Sequence, residues 1–198
     1  MTIATAPRRA PVLADLGSAS RARDAALVVA GTMLIAVFSQ LVVPLPFTPV
    51  PLSLSTFAVL LTGLALGPGR ALLSTVLYLG LGTAGVPIFA EQGAGWASAS
   101  YGYVVGYVAA AAHAGAAARR RADRSPLATI AAAAVSTLAV YAFGVPWLMA
   151  SLHVGLLEAL ALGVVPFLIG DAIKAAAAAL LLPGTWRLLG RTAPDARG

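Results

Sequence analysis

Cysteine is absent from the 198 residues, histidine occurs twice, and charged side chains make up only 10% of the chain. Without cysteine there are no disulfides, no thiolate nucleophile and no Cys-based metal site. Lysine is scarcer than histidine: Lys174 is alone, and every other basic side chain is arginine. A phosphate-binding loop needs Gly-Lys followed by Ser or Thr, whereas Lys174 is followed by Ala175, so ATP-driven work would need a partner. No serine stands in a nucleophile elbow with a matched histidine and acid, which removes the usual hydrolase reading and leaves no catalytic set. What the chain has in plenty is apolar surface. With 60% apolar residues and a mean hydropathy of +0.89, it exceeds what a soluble core hides from water, and it reads as a membrane protein.

Six apolar segments are expected as transmembrane helices, at about 25–43, 51–66, 70–83, 102–118, 127–145 and 166–182. Pro and Gly clusters separate them: VPLPFTPVP, LGPGR and GVPIFAEQGAGWASASYGY. The stretch 146–165 is too apolar for a plain loop and is expected as a short helix on or in the outer face. Residues 1–23 read as a mobile cytoplasmic tail, 24–186 as one six-helix domain, and 187–198 as a second cytoplasmic tail. No cleaved signal peptide is expected, since the polar leader runs into a span-length apolar segment.

The arginines test this topology. Arg8, Arg9, Arg21 and Arg23 precede span 1, Arg70 lies between spans 2 and 3, Arg119, Arg120, Arg121 and Arg124 lie between spans 4 and 5, and Arg187, Arg191 and Arg197 follow span 6. All therefore fall on one side, the cytoplasmic side by the positive-inside rule, with both termini there. The net charge of +6 belongs to this asymmetry, and no nucleic-acid partner is expected. His113 and His153 then lie on opposite sides of the membrane and cannot share a metal. Glu91 and Glu158 fall in outer loops as solvated acids.

Lys174 is the one basic residue inside a span, and Asp171 precedes it by three positions on the same helix face. A charge at mid-membrane costs about 2.5–3.5 kcal/mol even on lenient insertion scales, so such residues normally face a partner or a site. The pair is open to two readings, a structural ion pair or a ligand site near the outer mouth. An ammonium holds a carboxylate, and a carboxylate accepts amide-like N–H groups, so a small acid with a urea- or amide-like head suits both. Phe47, Phe89, Trp96, Tyr101, Tyr103, Trp147 and Phe167 lie near outer ends, as an interfacial belt or as pocket walls. Ala22, Ala26 and Ala30 form a small-residue face on span 1 that fits either a partner helix or internal packing.

The segments FTPVPLSLSTFAVLLTGLALGPG (47–69), LYLGLGTAGVPIFA (77–90), YGYVVGY (101–107), FGVPWL (143–148) and VPFLIGDAIK (165–174) resemble the BioY family. These are biotin-binding S components of energy-coupling factor (ECF) transporters. The resemblance implies an all-α integral membrane protein with six transmembrane helices in an S-component-like bundle, multi-pass in the bacterial inner membrane. It implies biotin as ligand, with a coupling transmembrane protein and two ATPase subunits as partners, and neither enzymatic activity nor a cofactor.

Carried over by position, Asp171 and Lys174 become polar anchors and the loop at Thr48 and Pro49 a lid. Ser55, Tyr78, Phe89, Ser100, Tyr103 and Trp147 become further ligand contacts, and Ala22, Ala26 and Ala30 face the coupling protein. The chain departs from the family pattern at Ser55, where glutamine is usual, at Glu91 and Gln92, where a glycine pair is favoured, at SASYGY, where a GPTGGY-like run is favoured, and at Ile169, where proline is common. The rival reading is a partner-independent or proton-coupled carrier of a small carboxylate, with Asp171 as its titrating group.

Overall fold

The computed structural model describes residues 10–17 and 20–192, with side chains through Gly190. Helix α1 covers Arg21–Ser39; its start is capped by Ser20, whose Oγ accepts from the Arg23 backbone N–H at 3.1 Å. A two-stranded hairpin follows, β1 (Val42–Val43) antiparallel to β2 (Leu52–Ser53). Next come α2 (Ser55–Leu66), α3 (Pro68–Thr83), α4 (Tyr101–Ala118), α5 (Pro126–Leu152), the short α6 (Leu156–Gly163) and α7 (Leu168–Thr192). Between α2 and α3 the chain reverses on one residue, Gly67, at φ 78°, and Pro68 then starts the next helix with the φ it already favours.

Among the described residues, three stretches, Arg21–Ser39, Pro126–Leu152 and Leu156–Gly190, are long and apolar enough to cross a membrane. Beside them, α4 packs against α3, α2 and α5, and α7, within the third stretch, packs against α5 and α2. The outer surface of the bundle carries Met33, Val37, Leu73, Val76, Leu138, Ile173, Leu180 and Leu181, all well exposed. Apolar side chains displayed this widely are stable only where the surroundings are themselves apolar.

Two differences from the sequence expectation bear on function. The first concerns α5, which does not stop at 145 but runs to Leu152 with Pro146 inside it. That proline removes the backbone donor that would otherwise bond the Ala142 carbonyl, a loss that a helix packed among others tolerates. The expected short helix in 146–165 is therefore only α6, joined to α7 by a tight turn at Val165–Phe167. The second concerns residues 10–17, which fall within the stretch read as a tail but lie packed on the arginine-rich end. Val12 is 0% exposed there, and Asp15 accepts hydrogen bonds from Arg70 (2.9 Å) and Arg119.

The interior divides into two apolar clusters. One, near the hairpin end, contains Ile35, Tyr78, Phe89, Tyr103, Tyr107, Leu148 and Phe167. The other, at the arginine-rich end, contains Val12, Leu60, Leu64, Ala114, Ala118, Ala133, Ala178 and Leu182. Large aromatics are concentrated in the first cluster and alanines in the second.

Candidate ligand-binding site

Asp171 lies in the first turn of α7, where the helix dipole favours its negative charge, and Lys174 lies one turn further along. Their side chains are 14% and 11% exposed, and Lys174 Nζ is 3.3 Å from Asp171 Oδ1. The couple is held from two other helices. Lys174 Nζ donates to Thr56 Oγ1 at 2.8 Å, from α2, and the Tyr141 hydroxyl of α5 donates to Asp171 Oδ2. Lys174 thus uses two of its three N–H groups, and one remains to donate elsewhere.

Above the couple opens a cavity with about 620 Å³ of atom-free space, part of it continuous with the outside. Its floor is the couple with Thr56, and its walls are mainly aromatic: Tyr78, Phe89, Tyr103, Tyr107, Tyr141 and Phe167. These rings brace one another. Tyr78 meets Phe89 edge-on at 5.3 Å and stacks on Tyr107 at 6.4 Å, while Tyr103 meets Tyr141 at 6.4 Å and 87°.

A line of hydroxyls backs one wall. Ser55 Oγ donates to Ser39 Oγ at 3.0 Å and lies 2.7 Å from Ser53 Oγ, and Ser39 Oγ lies 2.7 Å from the Tyr78 hydroxyl. Such buried hydroxyls satisfy one another, and Ser53, Ser55 and Tyr78 also border the cavity. Gln40, next to Ser39 in sequence, fixes the rim on that side. Its Nε2 donates to the carbonyls of Ile88 (3.2 Å) and Phe89 (2.9 Å), and its Oε1 accepts from the Gln92 N–H at 3.1 Å, which sets the Phe89 ring over the cavity.

Of the residues singled out from sequence, Asp171, Lys174, Ser55, Tyr78, Phe89, Ser100 and Tyr103 border the cavity, and Thr48 and Trp147 do not. Thr48 sits in the hairpin loop and donates to the Leu162 carbonyl at 2.8 Å, so it pins that loop to α6. Trp147 donates to the Ser98 carbonyl at 2.9 Å and packs 5.3 Å from Tyr101, outside the lining. Tyr103 also ties α4 to α6 by donating to the Gly163 carbonyl at 3.0 Å. The hairpin does supply Val50, Pro51 and Ser53 to the cavity edge. Sequence reasoning missed Thr56, Tyr107, Thr137 and Tyr141. Thr56 and Tyr107 stood inside the quoted motifs FTPVPLSLSTF and YGYVVGY, and their polar groups within apolar helices were the available signal. Ala22, Ala26 and Ala30 are all exposed along one side of α1, far in sequence from every lining residue.

A membrane-embedded helical bundle with one polar couple at the base of an aromatic cavity is the architecture of a small-molecule binding component. The BioY family model matches residues 10–191. A probable biotin transporter BioY of Pyrococcus horikoshii is 34% identical over 175 residues, which cover 87% of this chain and 99% of that one. The biotin transporter BioY of Thermotoga maritima is 32% identical over 143 residues, 70% of this chain and 82% of that one. Among solved structures, the S-component for biotin from an ECF-type ABC transporter superposes with a TM-score of 0.76. That match is 20% identical and covers 86% of this chain and 95% of the other, a likeness of fold. The chain belongs to the BioY family.

Proposed function

We propose that this chain binds biotin from the outer side of the bacterial inner membrane and serves as the substrate-binding component of an ECF-type importer, without catalysing a covalent step. The arginine-rich end is then cytoplasmic and the cavity mouth outward. The coupling protein and two ATPase subunits supply the energy, since this chain carries no phosphate-binding loop of its own. The exposed face of Ala22, Ala26 and Ala30 is where the coupling protein packs.

The observation that carries this reading is the uncommitted N–H of Lys174 at the base of an aromatic cavity. A carboxylate reaching that N–H forms a charge-assisted bond in a dry site, where it is stronger than in water. Asp171 holds the ammonium in place and accepts from ligand N–H groups, and the tyrosine and phenylalanine rings cover the bicyclic head. Calorimetric titration of the purified chain with biotin tests it. Lys174→Ala and Asp171→Ala are each expected to weaken binding at least tenfold while the protein still inserts, and unchanged titrations would overturn the site.

A further inference from the structure

The arginine-rich end carries a groove separate from the ligand cavity, with about 760 Å³ of atom-free space, part of it continuous with the outside. That size is within the ~300–1,000 Å³ of sites that hold small molecules. The groove lies between the turn Ala122–Arg124, which precedes α5, and the last turns of α7. From α7 come Pro183, Trp186, Arg187 and Gly190, whose spacing sets them on one helix face, and Arg124 and Leu16 line the other side.

Two guanidinium groups thus border one groove, and among the described residues neither is in an ion pair; the salt bridges of this end belong to Arg70 and Arg119. Arg124 is held in place. It donates to the Pro11 carbonyl at 2.9 Å, its Cζ lies 4.0 Å from the centroid of the Trp186 ring, and its Nε is buried without a partner. Trp186 is fixed in turn by donating through Nε1 to Asp123, a fully buried acid that is not part of the lining. Arg187 is exposed, and its guanidinium makes no hydrogen bond among the described residues. Two forked donors without a carboxylate suit an anion with two free oxygens, which a guanidinium binds through parallel N–H bonds.

The rim indicates what carries that anion. Helix α5 starts at Pro126 and runs away from this end, whereas α7 runs toward it. The membrane side of the two arginines is therefore marked by Leu127, three residues after Arg124, and by Leu180, seven before Arg187. Both leucines are 77% exposed, and Leu181 is 54% exposed. At 1.5 Å per residue Leu180 lies ~10 Å from Arg187 along the helix axis. A headgroup layer is roughly 5–8 Å thick, so with Arg187 at phosphate depth Leu180 is already among hydrocarbon. A soluble anion makes no use of those leucines, and a phospholipid does.

We propose that this groove binds one anionic phospholipid of the inner leaflet, with its phosphodiester between Arg124 and Arg187 and its acyl chains along Leu127, Leu180 and Leu181. Basic pockets between helices on the cytoplasmic side favour such headgroups. Phosphatidylglycerol keeps its negative charge there. Phosphatidylcholine brings an ammonium that both arginines repel, and Arg124 already lies over the aromatic ring that would hold it. The bound lipid bridges the α4–α5 turn to the end of α7, whatever ligand fills the other cavity.

Tryptophan fluorescence tests this directly, because the chain has only three tryptophans. Trp96→Phe with Trp147→Phe leaves Trp186, on the groove wall, as the sole indole. The full chain is placed in nanodiscs of mixed phosphatidylcholine and phosphatidylglycerol, with bromine on the acyl chains of one lipid or the other, and thermal melting reads folding. Per mole of brominated lipid, phosphatidylglycerol is expected to quench at least fivefold more strongly. Arg187→Gln is expected to bring the two lipids within twofold of each other. Arg21→Gln, the same loss of charge at an exposed arginine outside the lining, is expected to leave the preference intact. Equal quenching by the two lipids in the parent would overturn the site, and so would equal losses in the two variants, which would reduce it to diffuse charge. If excess inorganic phosphate abolished the preference, the occupant would be a soluble anion and the lipid assignment would fall. A preference that emerged only after deletion of residues 193–198 would overturn it in favour of the chain's own end. Should Arg187→Gln fail to fold, salt decides: the preference is expected to drop at least by half between ~0.05 and ~0.5 M, and a salt-independent preference would contradict the arginine contacts.

Discussion

At the scale of single residues, the site depends on a side chain that the sequence left unmarked. Tyr141 donates to Asp171 Oδ2, which directs the other carboxylate oxygen, Oδ1, at Lys174. Hydrogen bonds to charged groups contribute about 1.5–3 kcal/mol. Tyr141→Phe keeps the ring against Tyr103 and removes only the donor, so biotin affinity is expected to fall about tenfold in a chain that still folds and inserts, with stability lowered by no more than that hydrogen bond; a calorimetric Kd within twofold of the parent would disprove its role. Glu91 and Gln92 give a second case. Both have positive φ, 58° and 55°, in the loop that sets Phe89, and both side chains are exposed. A left-handed conformation costs a non-glycine residue about 1–2 kcal/mol, which gives a physical reason for a glycine pair at these positions. Glu91→Gly is expected to raise the unfolding midpoint by about 2–4 °C, checked by thermal melting in detergent. The Asp171–Lys174 couple was legible because charge inside an apolar run stands out and a spacing of three fixes a shared face. Thr56 and Tyr141 were not, because spans that are apolar all round give no amphipathic stripe from which to read helix rotation.

At the scale of elements, boundaries were legible where turn residues coincide with helix ends, and were misread where proline sits inside a helix or a strand is too short to alternate. Gly67–Pro68 marks the α2–α3 turn in both sequence and structure. Pro146 suggested an end that α5 does not take, and two-residue strands at the two edges of the proline-rich VPLPFTPVP region left no period to detect. The segment 10–17 was read as a tail because its composition is polar and Pro-containing, yet one buried valine and one acid shared by two arginines fix it in place. That acid makes the segment sensitive to pH. Burial on its own would push the Asp15 carboxyl up, but hydrogen bonds from Arg70 and then Arg119 outweigh it and hold the group below its ordinary 3.8. A depressed carboxyl adds stability that is fully present above 3.8 and is lost as pH falls through the lower folded value. The gap in unfolding midpoint between the parent and Asp15→Asn is therefore expected to stay constant from neutral pH down to about 4 and to close below it. A gap that instead persisted unchanged at pH 2 would mean that Asp15 contributes through shape rather than charge.

At the scale of the whole molecule, the ligand cavity and the exposed alanine face of α1 are separate surfaces. None of the residues bordering the cavity comes from α1, whose buried residues Gly31, Thr32, Ile35 and Ser39 pack against neighbouring helices and, through Ser39, against Tyr78. Binding and transport should therefore come apart under mutation. Ala26→Leu with Ala30→Leu fills the groove that a partner helix needs for close approach, and adds only apolar surface beside residues such as Val29 and Met33 that are already exposed. The doubly substituted chain is expected to bind biotin within twofold of the parent. Co-expressed with a coupling protein and ATPases, it is expected to support uptake at least tenfold more slowly. Loss of binding as well would place α1 in the ligand site. Undiminished uptake would mean that the partners dock elsewhere or that the chain moves its ligand without them. Measuring uptake with and without the co-expressed partners separates those two cases, because only a chain that works alone keeps its rate when they are withheld.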